Sequence, residues 1–168
     1  TDESGNEVVL LPEIIFSNKQ NINWNDVEDY LGKYVGELIE IAETRDIIYI
    51  GNKFPDEYGG SSYTRKTTGA RAKAKANAAQ GIREMVEIAT DKVYRENHKE
   101  KHSEDAHNGW FYYVTRFAIP LYNNEKKTGE YNVYSACLVV NHTANGKMYL
   151  YDVVGIKKEA SNPLKTIK

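Results

Sequence analysis

The chain has 168 residues, of which 40% are apolar, with 24 acidic and 22 basic side chains and one cysteine. That suits one domain with a single core and excludes a disordered chain, a disulfide framework and a multi-cysteine zinc site. No apolar run reaches the roughly 18 residues that a bilayer span needs, and the acidic start TDESGNEVV does not read as a signal peptide.

In chain order, Val8–Phe16 is apolar but broken by Pro12, which makes it an edge strand or an arm. Next, Trp24, Val27, Leu31, Tyr34, Leu38 and Ala42 recur at helical steps, so one helix is expected across NINWNDVEDYLGKYVGELIEIAET, capped at Asn23. Asp46–Ile50 reads as a short strand. Lys53–Gly69 is rich in glycine and polar residues and reads as a long loop. A second helix is expected over Ala70–Tyr94, burying Ala78, Ile82, Met85, Ala89 and Val93. After a polar segment, Arg95–Gly109, come three strands: the alternating Phe111–Leu121, the apolar and hence central Tyr131–Asn141, and Lys147–Ile156. Asn145-Gly146 signals a type I′ hairpin between the last two. The order predicts an α+β fold, with two main helices on one face of an antiparallel sheet of about four or five strands.

Three features could carry chemistry. His98 and His102 are four residues apart and His107 follows, but Lys99 stands where a zincin has its glutamate, and Lys101 adds charge that repels a cation. That leaves a solvated polar segment, an anion site or acid–base work. The second feature is the basic passage Arg65–Lys75. There Thr67 or Thr68 could cap a helix whose first amides, with Arg65, Lys66 and Arg71, face an anion. Tyr58 and Tyr63 lie close in sequence and would add stacking surface. The third is Arg116, which shares its strand face with Tyr112 and Val114 and needs either Asp152 or a ligand phosphate as partner. Cys137 sits in an apolar strand and reads as core.

Charge is uneven along the chain. Residues 1–60 carry 13 acidic and 4 basic side chains, a balance of −9, whereas residues 61–102 stand at +5. Phosphate responds to such local potential and not to the net −2. Arg65–Lys75 and the histidine segment are therefore expected to share one positive cleft, although an acidic helix pairing with a basic one inside the fold gives the same balance.

The passages ARAKAKANAAQGIREMVEIAT, KHSEDAHNGWFYYVTRFAIPLY and YNVYSACLVVNHTANGKMYLYDVVGIKKEASNPL resemble a domain of phage minor head proteins and of polyvalent proteins of mobile elements. Such domains are of the barnase–EndoU–colicin–RelE-like nuclease type. The resemblance implies N-terminal helices on an antiparallel sheet over 24–168, with residues 1–23 as an arm or attachment segment. It implies a metal-independent endoribonuclease, a toxin or effector domain without cofactor. His102 would act as base or acid with His98 or His107 as its complement, and Arg116 and Ser161 would complete the catalytic set. RNA would be held by Arg65, Lys66, Arg71, Lys73, Lys101 and Lys157, with Tyr112 or Tyr134 stacking a base. The implied partners are RNA, an inhibitor (immunity) protein or phage head proteins, with no membrane, in the cytoplasm or a virion. The alternative is a non-enzymatic module that binds nucleic acid or protein through the same surface.

Overall fold

The computed structural model describes residues 1–17, 21–96, 109–159 and 163–165. Asn23 caps the first helix, α1 (Trp24–Leu31), its side chain accepting from the Asn25 N–H. The helix does not continue to Ala42. A 3-10 turn, Gly32–Tyr34, ends it, and Gly36 adopts φ +94°, a backbone state that glycine enters without a Cβ clash. Its N–H bonds to the Ile50 carbonyl. Beyond it, β2 (Leu38–Glu40) pairs antiparallel with β3 (Ile47–Tyr49). Leu38 is exposed while Ile39 and Ile41 are fully buried, so a period of two overrides the helical spacing.

The expected loop Lys53–Gly69 instead contains α2 (Phe54–Gly60) and α3 (Ser62–Lys66). Pro55 sits in the first turn of α2, where its missing N–H costs nothing. Ser61 ends α2 and caps α3 by accepting from the Thr64 N–H. Gly59 is a contact surface for α1: a Cβ there would stand 2.6 Å from Glu28 Cγ. The second predicted helix is also divided, into α4 (Gly69–Ala78), a 3-10 turn at Ala79–Gly81, and α5 (Ile82–Glu87). Ala78, Ile82, Met85 and Ala89 are buried as expected. Val93 belongs instead to the strand β4 (Thr90–Arg95) and is 48% exposed.

A meander of β5 (Trp110–Asn123), β6 (Lys126–His142) and β7 (Met148–Lys158) forms the centre of the sheet. The sheet is mixed, not antiparallel, and has eight strands among the described residues. β1 (Val9–Leu10) runs parallel to β5, β3 runs parallel to β7, and β8 (Leu164–Lys165) pairs antiparallel with β6. β4 and β1 share one edge of β5, at its start and its middle. The hairpin between β6 and β7 is not type I′. Positive φ falls on Gly146 and not on Asn145, and the Gly146 N–H bonds to Thr143 O, the pattern of a type I turn followed by a left-handed glycine. The fold is α+β, and among the described residues no helix is long and apolar enough to cross a membrane.

The helices cover one face of the sheet, where Tyr113 and Phe117 of β5, Leu138 and Val140 of β6 and Val153 of β7 are buried against Ile82 and Met85. The N-terminal segment contributes to the same core through Leu11, 1% exposed. Asn77 of α4 fastens it further by accepting from the Ile15 and Phe16 N–H groups.

Within this layer α4 carries a fully buried lysine. Lys75 Nζ donates to Asp152 Oδ1 at 2.7 Å and to Thr64 Oγ1 at 2.6 Å. It lies 4.6 Å and 5.0 Å from the ring centres of Tyr58 and Tyr63. The Tyr58 hydroxyl donates to the Lys75 carbonyl, Thr64 Oγ1 donates to Tyr58 O, and the Tyr63 hydroxyl accepts from the Ile156 N–H. Asp152 reaches this position because β7 holds one extra residue, Tyr151, between the partners of Val139 and Val140. Burial pushes the Asp152 carboxyl up and the Lys75 ammonium down, against the attraction between them.

Two stability measurements check this packing. Leu11→Ala should cost about 2–5 kcal/mol in denaturant unfolding, as expected for a core position; a much smaller loss would make residues 1–23 a detachable arm. Lys75→Met should cost about 3–5 kcal/mol by removing the cation that faces the buried Asp152 carboxyl, whereas Lys75→Met with Asp152→Leu should recover most of that loss.

Candidate nucleic-acid interface

Alternation along β5 sends Tyr113, Thr115 and Phe117 to the helices and Trp110, Tyr112, Val114 and Arg116 to the other face. Register extends that second face across the sheet. Arg116 stands opposite Ser135, which stands opposite Lys157. Trp110 is opposite Asn141, Asn141 opposite Tyr149, and Tyr149 beside Tyr49 of β3. Arg95 of β4 faces Trp110, with its guanidinium 5.5 Å from the Tyr112 ring centre.

The face has an apolar floor of its own. Trp110 meets Tyr151 edge-on at 5.0 Å and, with Val139, Tyr112 and Val154, forms a cluster separate from the main core. A groove of 390 Å³ runs along β4, β5 and β6 past Arg95, Tyr112, Val114 and Cys137. Cys137 is therefore half-buried on this face and not in the core, and burial pushes its thiol up, away from thiolate.

Arg116 does not pair with Asp152, which Lys75 occupies. Its Nε donates to Glu159 Oε1 at 2.9 Å, and the pair is partly exposed. Beside it, a notch of 250 Å³ lies between the ends of β1 and β4 and is lined by Glu7, Glu43 and Glu87. These carboxylates lower the positive potential at Arg116, so Arg116 cannot act as a strong anion site alone.

The other expected residues lie elsewhere. Arg65, Lys66, Arg71 and Lys73 are on α3 and α4, on the helix side of the sheet, and the Arg65 Nε donates to Gly60 O. Thr67 closes α3 by donating to Tyr63 and Thr64 carbonyls, and Thr68 makes no side-chain cap for α4. Tyr58 is fully buried, and Tyr63 is committed to Ile156 and Lys75. Tyr134 is in the main core, stacked on Phe117 at 5.5 Å, with 8% of its surface exposed. Thus the sheet separates the basic helix passage from Tyr112, Arg116 and Lys157. His98, Lys101, His102, His107 and Ser161 lie outside the described residues. Among the described residues no group of three or more His, Cys, Asp or Glu could hold a metal ion.

A cleft of 280 Å³ opens at the β3–β7 end of the aromatic face, lined by Gly51, Lys53, Glu57, Asn141, Tyr149 and Tyr151 among others. Asn141 is 7% exposed, and its Oδ1 has no hydrogen-bond partner among the described residues. Sequence reasoning missed this position. The one signal was an amide closing an otherwise apolar run, Cys137-Leu138-Val139-Val140-Asn141.

Taken together, the face offers ring surfaces, an apolar floor and dispersed cations, which suit stacked bases and the phosphates between them. Comparison with protein-family models, with curated proteins and with solved structures finds no match to this chain.

Proposed function

We propose that this chain binds single-stranded RNA across the sheet face opposite its helices. The observation that carries the reading is the placement of Arg95, Tyr112, Arg116 and Lys157 on that one face, with Trp110, Tyr149 and Tyr151 among them. Bases stack on aromatic rings regardless of sequence, while separate cations follow the backbone. Glu159 holds Arg116 in place in the free protein and yields it to phosphate at little cost, because a partly exposed pair is worth little.

The barnase–EndoU–colicin–RelE-like resemblance adds cleavage to binding. In that reading His102, with His98 or His107, moves the protons of 2′-hydroxyl attack, and Arg116 meets the charge that develops on phosphorus. The face described here supports the binding half of that reading.

Fluorescence anisotropy with a labelled oligoribonucleotide tests the proposal. Arg116→Glu with Lys157→Glu should weaken binding about 10-fold or more and reduce the slope of log affinity against log salt by about 2. Arg65→Glu with Lys66→Glu, on the helix side, should change it far less. The reverse ranking would move the interface to the helices and overturn the proposal. Incubation with total RNA in EDTA separates the two modes: fragments ending in cyclic phosphate, reduced about 100-fold or more in His102→Ala, identify a ribonuclease. Binding without fragments identifies a binding module.

A further inference from the structure

We infer that the cleft around Asn141 is a pocket for a single nucleobase, at one end of the RNA path. The inference rests on the RNA-binding reading and goes further, because it gives that face one position that distinguishes bases. The make-up of the cleft carries it.

Asn141 is more than nine-tenths buried, yet its carboxamide oxygen has no partner among the described residues. An unpaired buried polar group is destabilising unless something meets it. A carboxamide presents one acceptor beside one donor group in a plane, the arrangement that matches the edge of a base. Tyr149 and Tyr151 line the same cleft and supply rings for a planar ligand. Gly51 lets the backbone lie close against the Tyr149 ring, since a Cβ there would come within 3.3 Å of Tyr149 Cδ1.

The lining also has one cation and one carboxylate, Lys53 and Glu57, so its formal charges cancel and it selects a neutral heterocycle over an ion. The volume of 280 Å³ lies just below the usual range of about 300–1,000 Å³ for small-molecule sites and is enough for one base. The cleft is lined by Asn141, Tyr149 and Tyr151 of the aromatic face and by Phe54 and Glu57 of α2, so it lies at the end of that face, where a base can enter while its sugar and phosphate remain outside.

Adenosine, guanosine, cytidine and uridine, none of which carries phosphate, are the probes. Each is titrated into the full chain at millimolar concentration and followed by two-dimensional NMR of backbone and side-chain amides. At least one should saturate, with shifts centred on Gly51, Asn141, Tyr149 and Tyr151, and the four should differ in affinity. Asn141→Leu should weaken the preferred nucleoside about 10-fold or more while the melting temperature holds or rises, because the unpaired amide is gone. If Asn141→Leu fails to fold, Tyr149→Ala removes one wall of the cleft and should give the same loss.

No saturable shift with any of the four overturns the pocket, as does equal binding by a folded Asn141→Leu protein. An oligoribonucleotide measured on the same samples separates the two levels. If it still binds the sheet face, the pocket alone is wrong. If it does not bind, the RNA reading fails as well.

Discussion

Lys75 places a full positive charge inside the helical layer, and the arrangement of four elements follows from satisfying it. An ammonium with no access to water needs a carboxylate and further acceptors or ring faces. Asp152 comes from β7, Thr64 from α3, and the rings of Tyr58 and Tyr63 from α2 and α3. Those short helices have little stability of their own, since a helix of five or seven residues is too short to stand alone in water. They are held because their side chains surround the charge. Such a network favours one arrangement over others more than it adds to total stability, because the cost of desolvation offsets much of the attraction.

The split between the two faces of the sheet organises the surface in turn. On the helix side, residues are spent on packing: Tyr134 fills space against Phe117, and Ala74, Ala76 and Ala78 let α4 approach the strands closely. On the other side the chain keeps large rings and cations where helices might have been. Trp110 is buried in a cluster with Tyr112 and Tyr151, whose rings remain partly exposed.

What the sequence disclosed depended on how long each pattern ran. The meander was legible because Phe111–Leu121 alternates over its length, Tyr131–Asn141 is a long apolar run and Asn145-Gly146 marks the turn. The end of α1 was hidden because Leu38 and Ala42 fall on helical steps by coincidence, while the decisive event is the left-handed backbone at Gly36. The helices α2 and α3 were hidden because each is under three turns and α2 carries two glycines, one of them needed for contact with Glu28. Arg116, Tyr112 and Lys157, which the sequence offers as candidates, share a face. Tyr134 was recognised for its residue type and misjudged for its parity, since it stands opposite the inward-facing Phe117. The Lys75–Asp152 pair could not be read, because it joins residues 77 positions apart through a one-residue irregularity in β7.

That irregularity joins the two sides of the sheet. At Tyr151 and Asp152, neighbouring residues serve opposite purposes: one ring supports the aromatic face, and the next side chain holds the buried lysine. The two residues are adjacent in the chain, so the same backbone irregularity sets both side chains. The two packings share one short stretch of β7 backbone, so a deletion of the extra residue would disturb the ring cluster and the buried ion pair together.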